Sequence, residues 1–164
     1  AIATHLRRHR GIQVGDETTE MLKTSFVSTF LPDDISKSIE VRGRDVQTGS
    51  PAAVDVTIGE LYPVVEGVVR RIAQLIKDTL TELRPEVAAD IYDRGVILTG
   101  GGSLLDGLDQ YLRSYINLAV TVADEPRYAT VKGLVKMFED QKLLDRVTAN
   151  EMNVLRDAEI PFEA

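Results

Sequence analysis

Three sets of residues have types and spacings suited to chemistry. The first is Gly100-Gly101-Gly102-Ser103, which follows the apolar run Gly95-Val-Ile-Leu-Thr99. Glycines let a phosphate or sugar approach the backbone with no Cβ in the way, and free N–H groups opening a following helix attract an anion. Ser103 adds a hydroxyl, either as a ligand or as the N-cap of that helix. By itself the triplet fits a nucleotide contact or a plain tight turn. The second set is Glu20 with Lys23. At i,i+3 on a helix the two share a face and offer an acceptor and a donor, which suits a ribose; the same spacing also gives an ordinary solvated ion pair. The third is His5 with His9, at i,i+4. Such a pair can hold a metal, but Arg7, Arg8 and Arg10 crowd the stretch and no Glu completes an H-E-x-x-H pattern, so it reads as a surface pair.

What is absent narrows the chemistry. The chain has no G-x-x-x-x-G-K-[ST] loop, no G-x-G-x-x-G fingerprint and no Ser/His/Asp set with usable spacing. Phosphoryl transfer also needs a metal-holding carboxylate, and none of the many carboxylates is marked out. No catalytic and no metal-ligating residue is therefore assigned. The charge balance of 19 basic against 26 acidic residues, a net −7, argues against nucleic acid, which selects a basic surface. With no cysteine, disulfides and thiolate chemistry drop out. No apolar run approaches the roughly 20 residues of a membrane span, and no signal peptide is visible. The expectation is a soluble cytoplasmic domain, and 164 residues with 43% hydrophobic content suffice for one sizeable core.

These residues need elements to place them. The opening stretch to Arg10 reads as the end of a helix stopped at Gly11, and its lack of an N-cap suggests a chain cut from a longer one, although loss of an initiator Met would look the same. Asp16 caps a second helix through about Ser28, carrying Glu20 and Lys23. Ile39 and Val41, then Val54 and Val56, alternate with polar residues, so residues 38–57 read as a hairpin or meander. Thr57 and Glu60 have capping-box spacing before the strongest helix, whose stripe of Leu61, Val64, Val65, Val68, Ile72, Leu75, Ile76, Leu80 and Leu83 faces a core. Pro63 sits in its first turns or splits off a lead-in. Pro85 opens a short helix. Residues 95–99 read as a buried parallel strand, followed by the glycines and a helix capped by Ser103 with Leu104, Leu105, Leu108 and Leu112 on one side. A strand at 119–122 and a helix at about 129–139 complete the pattern.

Taken together, the run Asp93-Arg-Gly-Val-Ile-Leu-Thr-Gly-Gly-Gly-Ser-Leu-Leu105 with Gly107-Leu108 resembles the adenosine-side loop of the MreB family, the bacterial actins that shape rod cells. Val14-Gly-Asp-Glu-Thr-Thr-Glu-Met-Leu-Lys23 resembles that family's I-G-E-x-T-A-E-x-x-K segment. Val41-Arg-Gly-Arg-Asp-Val-Gln-Thr-Gly-Ser-Pro51 resembles its hairpin, and Asp124-Glu-Pro126 with Lys132-Gly133 the entry to its last helix. The resemblance spans roughly residues 1–147. Asp106 departs from it, standing where the family usually has a basic residue, and the last fifteen or so residues have no counterpart.

The resemblance implies an α/β chain forming the second half of an actin-like, ribonuclease-H-like ATPase fold with a small α+β insert. Residues 1–11 and 61–147 would form the α/β subdomain, 12–60 the insert with its hairpin, and 148–164 a C-terminal tail. Glu20 and Lys23 would contact ribose and base, while Gly100, Gly101, Gly102 and Ser103 would lie against the nucleoside and α-phosphate. The cofactor would be ATP or ADP with magnesium, bound in the complete fold and weakly or not at all by this chain alone. The partners would be further filament subunits and the missing amino-terminal half, with any membrane contact indirect. The implied function is that of a cell-shape-determining cytoskeletal filament protein, an ATPase only as part of a complete chain. The alternatives are a stand-alone module that docks on filaments and half of an actin-superfamily small-molecule kinase.

Overall fold

The computed structural model describes residues 1–32 and 34–148. The chain divides into two compact units, residues 1–126 and 127–164. The tail expected from 148 lies, apart from Thr148, outside the described residues.

In the first unit, helix α1 (Ile2–His9) leads into strand β1 (Ile12–Gln13) and helix α2 (Asp16–Ser25). Strands β2 (Ser38–Asp45) and β3 (Pro51–Thr57) form the expected hairpin, antiparallel, with Val41 opposite Val54 and Ile39 opposite Val56. All four project to one face, where Val41 and Val56 are buried. Two Asp45-centred turns explain the reversal: its Oδ1 accepts from the N–H groups of Gln47 and Thr48 at 2.9 and 2.7 Å. These bonds hold the Asp45 carboxyl below its ordinary pKa, the Thr48 N–H contributing most. The sequence reading lacked β1, which adds a third strand by pairing Ile12 with Asp45 and Gln13 with Arg44. It approaches so closely that a Cβ on Gly43 would overlap the Gln13 carbonyl.

Helix α3 (Ile58–Glu82) runs unbroken through Pro63. The Thr57 hydroxyl accepts from the Glu60 N–H at 3.2 Å, giving one half of the capping box. The Glu60 carboxylate does not complete it, because it turns to Arg10 and His5 of the α1 end at 2.6 and 3.0 Å. That cross-helix clamp uses His5, and His9 stacks on it with ring centroids 4.6 Å apart. The buried row of α3 is Leu61, Val65, Val69 and Ala73, at four-residue steps. Ile72 and Leu75, which the sequence stripe assigned to the core, are 43% and 67% exposed. An apolar stripe of that width exceeds what one core contact can cover, so its edge lies outside.

Helix α4 (Pro85–Arg94) ends at Gly95, whose φ of +76° and whose close approach to the Ala119 carbonyl both require glycine. Strand β4 (Val96–Leu98) pairs in parallel with β5 (Val120–Val122), and helix α5 (Leu108–Ile116) connects them. The strand is parallel as expected but not fully buried. This sheet has two strands, α5 packs against β5, and Ile97 is left 45% exposed. Leu108 and Leu112 of α5 are buried, Tyr115 reaches Gln74 of α3 at 2.7 Å, and Tyr111 reaches Glu66 at 3.3 Å. The second unit contains helices α6 (Ala129–Glu139) and α7 (Gln141–Thr148). On α6 the helically spaced Val131, Leu134, Val135 and Phe138 are all exposed. Among the described residues, no helix is long and apolar enough to cross a membrane.

Candidate functional site

Helix α2 begins at Asp16 after Gly15, with no side-chain cap. Asp16 is therefore the first helical residue and not the expected cap, and it joins Glu17 in the first turn, where the helix dipole favours anions. Leu22 is fully buried and anchors the helix. Glu20 and Lys23 both remain largely outside, with Oε1 and Nζ 2.7 Å apart and side chains 61% and 40% exposed.

After β4 the chain turns at Gly100, where φ is +80° and glycine is needed. The Gly100 N–H donates to the Pro126 carbonyl at 2.8 Å. Residues Gly101–Leu104 then form a single 3-10 turn. Ser103 is buried, and its hydroxyl donates back to the Gly100 carbonyl at 2.7 Å. It does not cap α5, which starts at Leu108 after the left-handed Gly107. The reason is local: Leu105 N–H bonds to the Gly102 carbonyl and Leu108 N–H to the Leu105 carbonyl, so the backbone reverses twice before helical geometry begins.

The far end of this loop is tied to the end of α2. That helix stops at Ser25 and not near Ser28, and the non-helical residues 27–30 form a strap tied to the loop through Ser28 and Thr29. Ser28 bridges Asp106 in parallel, and the Thr29 N–H donates to the Asp106 carbonyl at 2.9 Å. Sequence reading missed the strap. Its one signal is a hydroxyl pair, Ser28-Thr29, followed by an apolar pair, Phe30-Leu31, just where the helical pattern fades.

A cleft of about 300 Å³ opens between the start of α1, α2, α3 and this loop. Glu20, Lys23 and Thr19 border it from α2, and Gly102 and Leu105 from the loop. Val65, Val68, Val69 and Ile72 of α3 form its apolar wall. So Ile72, at the exposed edge of the α3 stripe, is cleft wall, a role that the sequence reading did not assign, whereas Leu75 is not part of that wall. Of the predicted site residues, Glu20, Lys23 and Gly102 meet at one cleft. Gly100 and Gly101 are exposed in the same loop, and Ser103 is buried beneath it.

A volume near 300 Å³ is at the lower end for ligand pockets, which run about 300–1,000 Å³. A Cβ built on Gly100 or Gly102 would meet nothing within 4 Å, so the loop leaves open space where side chains would otherwise stand. Among the described residues, no group of three or more His, Asp or Glu is placed to hold a metal ion.

The antiparallel hairpin, the parallel β4–α5–β5 unit and the glycine loop belong to an actin-like α/β fold. The structure aligns with MreB5 of Spiroplasma citri, solved bound to AMPPNP, with a TM-score of 0.76 at 26% identity, over 91% of this chain and 44% of that one. A family model described as MreB/Mbl protein matches residues 1–146, and the chain belongs to that family. The cell shape-determining protein Mbl of Bacillus subtilis (strain 168) is 36% identical over 145 residues, 88% of this chain and 43% of that protein. The cell shape-determining protein MreB of Escherichia coli (strain K12) is 34% identical over 139 residues, 85% of this chain and 40% of that protein. The chain thus spans less than half the length of the curated relatives it matches.

Proposed function

We propose that the cleft takes an adenine nucleotide and that the chain contributes this half of the nucleotide site to a filament-forming bacterial actin of the cytoplasm. One observation carries the reading: Glu20 and Lys23 of α2 and the sequence-distant Gly102 border a single apolar-walled cleft. The α3 wall offers its valines and Ile72 to the base, Glu20 accepts from ribose hydroxyls, and Lys23 donates. Gly100–Gly102 leave room for the α-phosphate to approach the backbone, while Ser103 shapes the loop from below. Support from relatives is that solved MreB5 structures are complexes with AMPPNP and with ADP. Magnesium would enter with the phosphates, because this chain's described carboxylates form no cage for it.

In this reading residues 1–11 and 61–147 form the α/β subdomain and 12–60 the insert. The partners are other filament subunits and a polypeptide supplying the amino-terminal half, and the chain alone hydrolyses nothing. Titration with ADP, followed by amide-resolved NMR, tests the cleft. Shifts are expected at Glu20, Lys23 and Gly100–Gly102 in the natural chain, and Gly102→Val should abolish them while leaving the fold intact, since its Cβ meets open space. Shifts confined to residues remote from the cleft would sink the reading.

A further inference from the structure

Two polar side chains are buried among the described residues, Thr29 and Ser103, and both hydroxyls hold the glycine loop. Ser103 acts inside the loop, on the Gly100 carbonyl. Thr29 acts from outside: its Oγ1 donates to the Asp106 carbonyl at 3.0 Å, beside its own N–H at 2.9 Å. A carbonyl oxygen has two lone pairs and takes both donors. Ser28 adds a longer bond to the same oxygen, at 3.4 Å. The next residue, Gly107, has φ +73°, and a Cβ there would stand 2.5 Å from the Phe30 ring and 2.6 Å from Thr29 Oγ1. The strap and the loop therefore fit in one arrangement, with no slack.

The strap is the direct continuation of α2, which carries Glu20 and Lys23. We propose that Thr29 is a positioning residue of the nucleotide cleft, its buried hydroxyl fixing Asp106 and so the distance between the glycine loop and the Glu20–Lys23 face. This rests on the adenine-nucleotide reading above. Thr29 touches no ligand; it acts through Asp106. The exposed Asp106 side chain takes no part, which explains why an acidic residue is tolerated there.

The test compares Thr29→Val, nearly isosteric but without the hydroxyl, with Thr29→Ser, which keeps it, in the 164-residue chain. ADP affinity and amide exchange of residues 100–108 are measured well below the melting temperature of each variant. Thr29→Val is expected to weaken ADP about three- to tenfold, the worth of one hydrogen bond, and to speed exchange in the loop. Thr29→Ser should restore both. If Thr29→Val does not fold, Thr29→Ala, which adds no bulk, takes its place. A melting temperature that drops while ADP affinity stays at the natural value overturns the proposal and leaves the cleft reading standing. A natural chain whose cleft residues ignore ADP overturns the cleft reading, and the proposal with it.

Discussion

On one side of the cleft, the loop from Gly100 to Gly107 is fixed by backbone bonds, two left-handed glycines and two buried hydroxyls. On the other side, Glu20 and Lys23 are exposed side chains on α2, paired with each other. The loop obtains its geometry from several contacts acting together, which leave its exposed glycine backbone facing the cleft side. The α2 side keeps rotamer freedom and exchanges its ion pair for a ligand at little cost. The cleft thus has one wall held by the backbone and one made of exposed, adaptable side chains. Between them, α3 serves both: Val69 is buried and Ile72, three residues on, is exposed.

The largest effect should follow from breaking the rigid wall. Gly107→Ala forces a Cβ into Phe30 and Thr29 at a left-handed position, and a loss of about 2–4 kcal/mol is expected in urea unfolding. A change within about 0.5 kcal/mol would mean that the strap yields easily and that the contrast between the walls is false.

Next comes the division of α3. Val69→Ala should cost about 1.5–3 kcal/mol through lost burial and a cavity, whereas Ile72→Ala should cost well under about 1 kcal/mol and instead weaken ADP. Equal losses of stability from the two would place Ile72 in the core after all.

Behind the cleft, the Glu60 carboxyl is held below its ordinary pKa, first by the Arg10 guanidinium bond, and burial only partly opposes this. A depressed folded-state value means that the clamp's stabilisation is fully present above the unfolded pKa of about 4.3 and is lost as pH falls through the folded value. Glu60→Gln should therefore be less stable than the natural chain at pH 7, with the gap closing below about pH 4.3. A gap that stays constant down to pH 3 would show that the charge is irrelevant to the clamp.

The smallest expected effect is on the adaptable wall. Lys23→Ala should change stability by no more than about 0.5 kcal/mol, since an exposed i,i+3 pair contributes little. The readout is ADP affinity, which should fall while the loop's amide exchange stays as it was. Faster exchange in the loop would show that the two walls are not independent.

Much of the fold was legible because it rests on local rules. The alternation of Ile39, Val41, Val54 and Val56 set the hairpin, and its register follows from keeping all four on one face. Thr57 marked the start of α3, and Pro85 the start of α4. The family motifs named Glu20, Lys23 and Gly102, which do meet at the cleft. Other features depended on what lies across space. The β1 strand is two residues long, too short for a period to register. The α3 stripe showed its apolar positions but not which of them would find a partner. Ser103 looked like a cap because a serine before leucines has that pattern, yet Gly107 delays the helix and the hydroxyl turns back to Gly100.

By itself, then, the sequence determined most of the elements, their order, the family and three residues that border the cleft, since propensity, periodicity and glycine freedom act within a few residues of each other. Only the tertiary structure decided that Glu60 binds α1 instead of closing its own cap, that Ile72 stays exposed on the cleft wall while Val69 beside it is buried, and that Thr29 reaches Asp106. Those three depend on which distant group arrives at hydrogen-bond or van der Waals distance, and nothing local to either partner encodes that meeting.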